Sequence, residues 1–283
     1  MVVLVTGAKG QLGQSLQFIA GNYPTIQFVF CSSFDLDITN KLNCQAVFSK
    51  YKPNYCINTA AYTAVDKAES EPEKAQLINI IGAKNLAEVC AAFSVILLHV
   101  STDFVFDGTK HTPYTEEDIP NPTGVYGQTK LDGEKAIQET FNDYFIIRTS
   151  WVYSQFGNNF MKTMLRLASE RDTLSVVNDQ FGTPTNAVDL AEVLVTIIQT
   201  DNRQLTTDNF GIYNFSNEGQ CSWYDFAKKI FEIHKIKINL LPITTSSYPT
   251  PAKRPNYSVL DKSKIKTVFG VEVKDWEESL KAI

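Results

Sequence analysis

The chain has little of what marks a metalloprotein, a secreted protein or a membrane protein. Its 283 residues hold only three histidines, His99, His111 and His234, too scattered to suggest one metal site. Five cysteines (Cys31, Cys44, Cys56, Cys90, Cys221) include no C-x-x-C pair. Neither a zinc site nor a disulfide framework is therefore expected, but reduced, mostly buried thiols. No apolar stretch approaches the ~20 residues that span a bilayer. No charged leader precedes the first apolar run, so no signal peptide is expected and the expected location is cytoplasmic. The net charge is −5, which argues against nucleic acid as a partner. Internal repeats, low-complexity tracts and a clear linker are also missing. What is present is a 43% apolar fraction, enough for a real core in one large domain with a smaller appendage.

Apolar runs and helical periodicities alternate along the first two thirds. Val2–Val5, Gln27–Cys31, Tyr55–Thr59, Val95–Ser101, Phe145–Thr149 and Gly211–Phe215 read as strands, with a short strand at Leu174–Val177. Between them, Lys41–Tyr51, Glu73–Phe93, Tyr126 to about Phe141, Asn158–Glu170 and Thr185–Thr200 read as helices. This alternation predicts an α/β fold with a doubly wound parallel sheet. After about residue 216 the pattern changes. Ser222 and Asp225 make a capping box for a helix Trp223–His234, and the proline-rich stretch Pro242–Pro255 predicts irregular structure. Residues 1–155 with about 172–217 are thus expected to form a dinucleotide-binding domain. About 156–171 and 218–283 are expected to form a small C-terminal substrate-binding lobe.

Two short patterns carry chemistry. The first strand runs directly into Thr6-Gly7-Ala8-Lys9-Gly10-Gln11-Leu12-Gly13. Strand, glycine turn and helix in that order suit a pyrophosphate at a helix N-terminus, as in a Rossmann-type sheet. Gly7 would permit the tight turn, Gly10 the approach of a pyrophosphate and Gly13 close helix–strand packing. Lys9, Gln11 and Leu12 lie in the same turn. Further along, Tyr126 and Lys130 stand four apart, on one face of a helix. An ammonium beside the phenol would lower its pKa from about 10 towards a useful range for acid–base work. A Y-x-x-x-K match alone is weak; its weight comes from the glycine turn in the same sheet.

With these motifs the chain resembles the extended short-chain dehydrogenase/reductases. Asn58-Thr59-Ala60-Ala61 matches a strand end that lines the cofactor in that family, Asn79 a structural and proton-relay position, and Ser101-Thr102-Asp103 the place of the catalytic Ser/Thr. The strings from Ala61 to Glu69, Ser101 to Gly108, Arg148 to Tyr153 and Tyr248 to Pro255 further resemble the dTDP-4-dehydrorhamnose reductases. The resemblance covers nearly the whole chain. It implies reduction of the C4 ketone of dTDP-4-dehydro-L-rhamnose, the last step of dTDP-rhamnose biosynthesis, with Thr102, Tyr126 and Lys130 as catalytic residues and with Tyr126 and Lys130 also at the cofactor, Lys130 on the nicotinamide ribose.

By the same resemblance Thr63, Val65, Asp103, Phe104 and Trp151 face the sugar, with Ala60, Ala61 and Thr63 against the cofactor. Arg254 would reach the diphosphate through its planar fork of donors. Asn158, Asn159 and Gln180 could serve the same pocket, though Asn158 could equally be a helix cap, and Trp151 could be core packing. The second strand ends Phe30-Cys31-Ser32-Ser33-Phe34, with no acid before Asp35 and no arginine. An acid there would select the unphosphorylated ribose of NADH. NADPH is therefore expected, with NADH also usable, and Ser32, Asp35, Asp37 and Lys9 around the adenosine end. Some reductases of this type hold Mg²⁺ at a homodimer contact through an acidic C-terminal tail; this chain stops soon after Trp276-Glu277-Glu278, which counts against that feature here.

Two alternatives compete. One is another sugar-nucleotide epimerase or dehydratase of the same fold. Dehydratases place acidic residues beside the catalytic threonine, whereas Phe104 follows Asp103 here. The other is a non-catalytic regulatory subunit, like the β subunit of methionine adenosyltransferase.

Overall fold

A computed structural model describes residues 1–204 and 209–283. The first strand β1 (Val2–Thr6) feeds helix α1 (Gln11–Ile19), then β2 (Gln27–Phe30), α2 (Lys41–Tyr51) and β3 (Tyr55–Asn58) follow. Short helices α3 (Val65–Ala68) and α4 (Pro72–Gln76) lead through a π-helical turn, Leu77–Gly82, into α5 (Ala83–Phe93). The sheet then continues with β4 (Ile96–Thr102), α6 (Val125–Gln138) and β5 (Tyr144–Thr149). Beyond it come β6 (Val152–Tyr153), α7 (Phe160–Glu170), β7 (Thr173–Val177), β8 (Phe181–Gly182), β9 (Thr185–Asn186), α8 (Ala187–Gln204) and β10 (Gly211–Asn214). The tail holds β11 (Cys221–Ser222), α9 (Trp223–Ile233), β12 (Asn239–Ile243), α10 (Ser263–Phe269) and α11 (Trp276–Lys281).

The main sheet has the order β10-β5-β4-β3-β1-β2, and every pairing in it is parallel. A parallel sheet needs cover on both faces, and β1 shows how the sequence provides for it. Val3 and Val5 point into a cluster with Leu16 and Ile19 of α1 and Leu190 and Leu194 of α8. Leu4 points the other way, to Phe48 of α2 and Leu86 of α5. All five cysteines are free and buried, four of them in this second cluster. Burial raises the Cys31 thiol to about 11, so it is no nucleophile at neutral pH.

A third cluster stands apart from the sheet. Met161 and Met164 of α7 meet Leu174 and Val176 of β7, Phe226 and Ile230 of α9, and Trp276 and Leu280 of α11. Here the structure differs from the sequence-based grouping in two places. Strand β7 does not join the main sheet but pairs in parallel with β12 and packs in this lobe cluster. Conversely, α10 leaves the lobe: Phe269 lies edge-on to Phe145 of β5, 5.7 Å between ring centroids.

Strand β12 also corrects the expectation of irregular structure from Pro242 onward. Pro242 sits in register with Val176. A two-stranded ribbon has free edges, where a residue without an N–H is tolerated. The expected long helix from Glu73 is interrupted by the π-turn, a feature of functional segments in many helices. The capping box of α9 is present in both directions: Ser222 Oγ accepts from Asp225 N at 3.0 Å, and Ser222 N donates to Asp225 Oδ2 at 3.0 Å.

Candidate active site

Where the strand order reverses, the carboxyl ends of β1, β3, β4 and β5 leave a crevice, the usual ligand site of such sheets. A cavity of about 690 Å³ opens there. Its floor begins at the turn after β1. Gly7 has φ +65°, and a Cβ on it would lie 2.7 Å from the Ala60 backbone nitrogen. A Cβ on Gly13 would lie 2.5 Å from the Gly7 carbonyl oxygen. Both glycines are thus required by backbone contacts, and they bring the start of α1 to the cavity edge. Lys9, Gly10, Gln11 and Leu12 line the wall. A helix N-terminus with no side-chain cap, facing an open cavity, fits the pyrophosphate of a dinucleotide.

The centre is built from β4 and α6. Thr102 ends β4, and its hydroxyl donates to Asp103 Oδ1 at 3.0 Å while accepting from Phe104 N at 3.2 Å. Tyr126 and Lys130 share the inner face of α6, as their spacing requires, and both are buried. Asn79, in the π-turn, braces the site from behind. Its carbonyl accepts from Tyr62 N at 2.9 Å, and its amide donates to Thr129 Oγ1 at 3.1 Å.

The electrostatics depart from the expectation that Lys130 lowers the Tyr126 phenol. Burial raises Tyr126 to about 12; the Thr102 hydroxyl opposes this, and the Asp103 carboxylate adds to it. Lys130 is turned elsewhere: Nζ donates to the Val100 carbonyl at 2.7 Å and lies 3.2 Å from His99 Nε2. Burial lowers Lys130 to about 8, against the pull of Glu134. Asp103 is raised to about 6 by burial, partly offset by hydrogen bonds.

The structure brings most of the sequence-predicted residues to one cavity. Thr102, Tyr126 and Lys130 line it, as do Ala61, Thr63, Val65, Asp103, Phe104, Trp151, Asn158 and Arg254. Ala60 stands behind, against Gly7. Ser32, Asp35 and Asp37 lie outside it, around the loop after β2. There the structure corrects one premise. Asp35 folds back so that Oδ2 accepts from both the N–H and the hydroxyl of Ser32, at 2.9 and 2.6 Å, which holds its carboxyl below the usual range. An acid therefore does stand beside the end of β2. Asp37 is exposed and accepts from the Thr39 N–H at 2.9 Å. The cap of α7 is Asn159, which accepts from Lys162 N at 3.1 Å; Asn158 faces the cavity.

Sequence reasoning missed Trp223. It stacks on Trp151 with ring centroids 3.5 Å apart and planes 9° from parallel. The capping box that places Trp223 at the first position of α9 was the available signal, but nothing local said which side chain it would meet. Trp151 itself has φ +46°, and Gly182 leaves room for its indole, since a Cβ there would lie 2.6 Å from the ring.

The model of the family described as RmlD substrate binding domain matches residues 1–283. The chain belongs to that family. A dTDP-4-dehydrorhamnose reductase of Aggregatibacter actinomycetemcomitans is 45% identical over 99% of this chain and 97% of the relative. A crystal structure of such a reductase from Clostridium acetobutylicum superposes with TM-score 0.93 at 43% identity, covering 100% of this chain and 98% of that one. Another, from Bacillus anthracis in complex with NADP, gives TM-score 0.93 at 40% identity, covering 99% and 97%. Within the RmlD family frame, the magnesium expectation finds no support. Among the described residues no three His, Cys, Asp or Glu converge as a metal site, and Glu277 pairs with Lys229 at 3.0 Å. Among the same residues no helix is long and apolar enough to cross a membrane.

Proposed function

We propose that the chain is an NADPH-dependent reductase that converts the C4 ketone of dTDP-4-dehydro-L-rhamnose to the alcohol of dTDP-L-rhamnose. The observation that carries this reading is the convergence of Thr102, Tyr126 and Lys130 on one cavity. It occurs in a chain 45% identical, over nearly its whole length, to a reductase of that name.

NADPH would be held by the α1 N-terminus and the residues of the Gly7–Gly13 turn, and when bound it supplies the hydride. As hydride reaches the carbonyl carbon, negative charge grows on the ketone oxygen. Tyr126, a protonated phenol at neutral pH whose pKa burial raises further, gives its proton to that oxygen. A high phenol pKa suits this direction, because an alkoxide is the stronger base. Thr102 orients the same oxygen once its hydroxyl turns from Asp103. The Trp151–Trp223 pair forms an apolar wall for the deoxysugar. Arg254 lines the same cavity, but its fork is already taken by Asp66 at 2.8 and 2.7 Å, so a diphosphate would have to share or displace that carboxylate. The Asp35–Ser32 contact, with Lys9 nearby, supports use of NADH beside NADPH.

The deciding assay follows oxidation of NADPH, and separately of NADH, in the presence of dTDP-4-dehydro-L-rhamnose. Turnover with both cofactors, faster with NADPH, is expected. No oxidation with this sugar nucleotide would return the epimerase or regulatory-subunit readings.

A further inference from the structure

Gln11 is the first residue of α1, in the turn that would hold the cofactor, yet its side chain is engaged elsewhere. Nε2 donates to the Val152 carbonyl at 3.0 Å, and Oε1 accepts from Asn159 Nδ2 at 2.6 Å. The orientation of both amides follows from their other partners. Asn159 Oδ1 accepts from the Lys162 backbone N–H at 3.1 Å, and its Nδ2 donates also to the Ser154 carbonyl at 2.7 Å. The Val152 contact is a carbonyl oxygen, so the Gln11 nitrogen must face it. Both ends of the Gln11 amide are thus taken by one segment, Trp151–Asn159.

That segment carries two groups of the lobe-side wall, Trp151 at its start and Asn158 near its end. It also needs holding. Trp151 lies in the left-handed region at φ +46°, which costs energy for any residue with a Cβ. Such a conformation persists only where its neighbours over-determine it. On the lobe side, the Thr185 N–H donates to the Trp151 carbonyl at 3.2 Å, and Trp223 lies flat on the indole. On the sheet side, the next carbonyl along, that of Val152, is taken by Gln11. The segment then follows α1. Gly157, at φ +62°, comes so close that a Cβ on it would lie 3.4 Å from the Gln11 Cβ. Phe156 meets Phe18 of α1 with ring centroids 5.9 Å apart.

We propose that Gln11 acts through its side chain as a positioning residue for the sugar site: from the nucleotide turn it pins the Trp151–Asn159 segment and so sets the Trp151 indole against the sugar. Its backbone N–H stays with the uncapped end of α1. One residue then serves both halves of the cavity, its main chain the pyrophosphate and its side chain the sugar wall. The contacts stand by themselves; the sugar they serve rests on the reductase reading.

The test is Gln11→Met in the full-length protein, a side chain of similar length without the two hydrogen bonds. Two indoles stacked at 3.5 Å give an exciton couplet in far-ultraviolet circular dichroism, and Trp223→Phe assigns that couplet by abolishing it. Gln11→Met should lose the couplet. In calorimetric titrations its Kd for dTDP-L-rhamnose should rise about five- to thirtyfold, the net worth of one or two hydrogen bonds, while its Kd for NADP+ stays unchanged. Asn159→Ser keeps a neutral capping oxygen for the Lys162 N–H but has no donor for Gln11, and it should move both readouts in the same direction. An intact couplet in Gln11→Met would overturn the proposal; joined to a loss of NADP+ affinity, it would make the side chain a cofactor ligand. A lost couplet with dTDP-L-rhamnose affinity unchanged would overturn it too, since Trp151 would then not serve the sugar. Failure of the unaltered protein to bind dTDP-L-rhamnose would count against the reductase reading instead, and the couplet would still decide whether Gln11 places Trp151.

Discussion

The two walls of the cavity are built differently. The sheet-side wall, with Thr102, Tyr126 and Lys130, rests on the ends of central strands and on one face of α6, and its groups are almost all buried and cross-linked. Asn79, Thr129, Asn58 and His99 tie strand, turn and helix together. The lobe-side wall, with Trp151, Trp223, Asn158 and Arg254, rests on loops and the first turn of α9. It is joined to α3 by an ion pair, Arg254–Asp66, whose side chains are 23% and 41% exposed. The difference matches the division of labour in the proposed reaction. A proton must be delivered to one atom with small tolerance, which calls for a rigid frame. A bulky sugar nucleotide must enter and leave, which calls for a wall that can part.

If the sheet-side wall holds the chemistry, the largest effect belongs to Tyr126→Phe. Turnover should fall by about 10²–10⁴-fold, the usual worth of a placed acid, with NADPH affinity little changed in a binding titration. Near-normal turnover would remove Tyr126 from its role. Next comes the support beneath that wall. Glu134 and Arg148 are 0% and 2% exposed, so Glu134→Gln leaves a buried guanidinium without its counter-charge. Equilibrium urea unfolding should show a loss of about 3–5 kcal/mol. A loss below 1 kcal/mol, on the order of a surface pair, would mean the frame is not rigidified there.

On the lobe side the effects should be smaller and should fall on KM. Trp223→Ala removes the partner of Trp151, and an aromatic pair is worth about 0.5–1.5 kcal/mol. KM for the sugar nucleotide should therefore rise by up to about tenfold, with cofactor KM unchanged; an equal fall in kcat would blur the division between the walls. Smallest is the Asp66–Arg254 link. A double-mutant cycle on stability should give a coupling of about 1 kcal/mol or less. The hydrogen bond from Arg254 holds the Asp66 carboxyl below its usual range. The coupling should thus be whole at neutral pH and vanish as pH falls through the acidic range where Asp66 takes up a proton. A coupling that persisted after protonation would assign the contact to packing instead.

The glycine turn, the alternating strands and the Tyr126–Lys130 face were legible because each rests on local rules: strand period, helix period and the room that only glycine gives. The same rules could not say that β7 leaves the main sheet for β12, because a short apolar run looks alike in either sheet. They did not show the bend of Asp35 back onto Ser32, which is a loop conformation and not a pattern. Nor could they show Trp223 on Trp151, 72 residues away in sequence and joined only by the packing of the lobe.

By itself, then, the sequence determined the parallel α/β frame, the glycine turn after the first strand and the shared face of Tyr126 and Lys130, because backbone geometry and side-chain spacing are local properties. The protonation state of those residues was decided by tertiary structure alone. Spacing suggested that Lys130 would acidify Tyr126. Burial instead raises the phenol, and the lysine is turned to Val100 and His99. A charge depends on everything around it, including a strand that ends well before the helix begins.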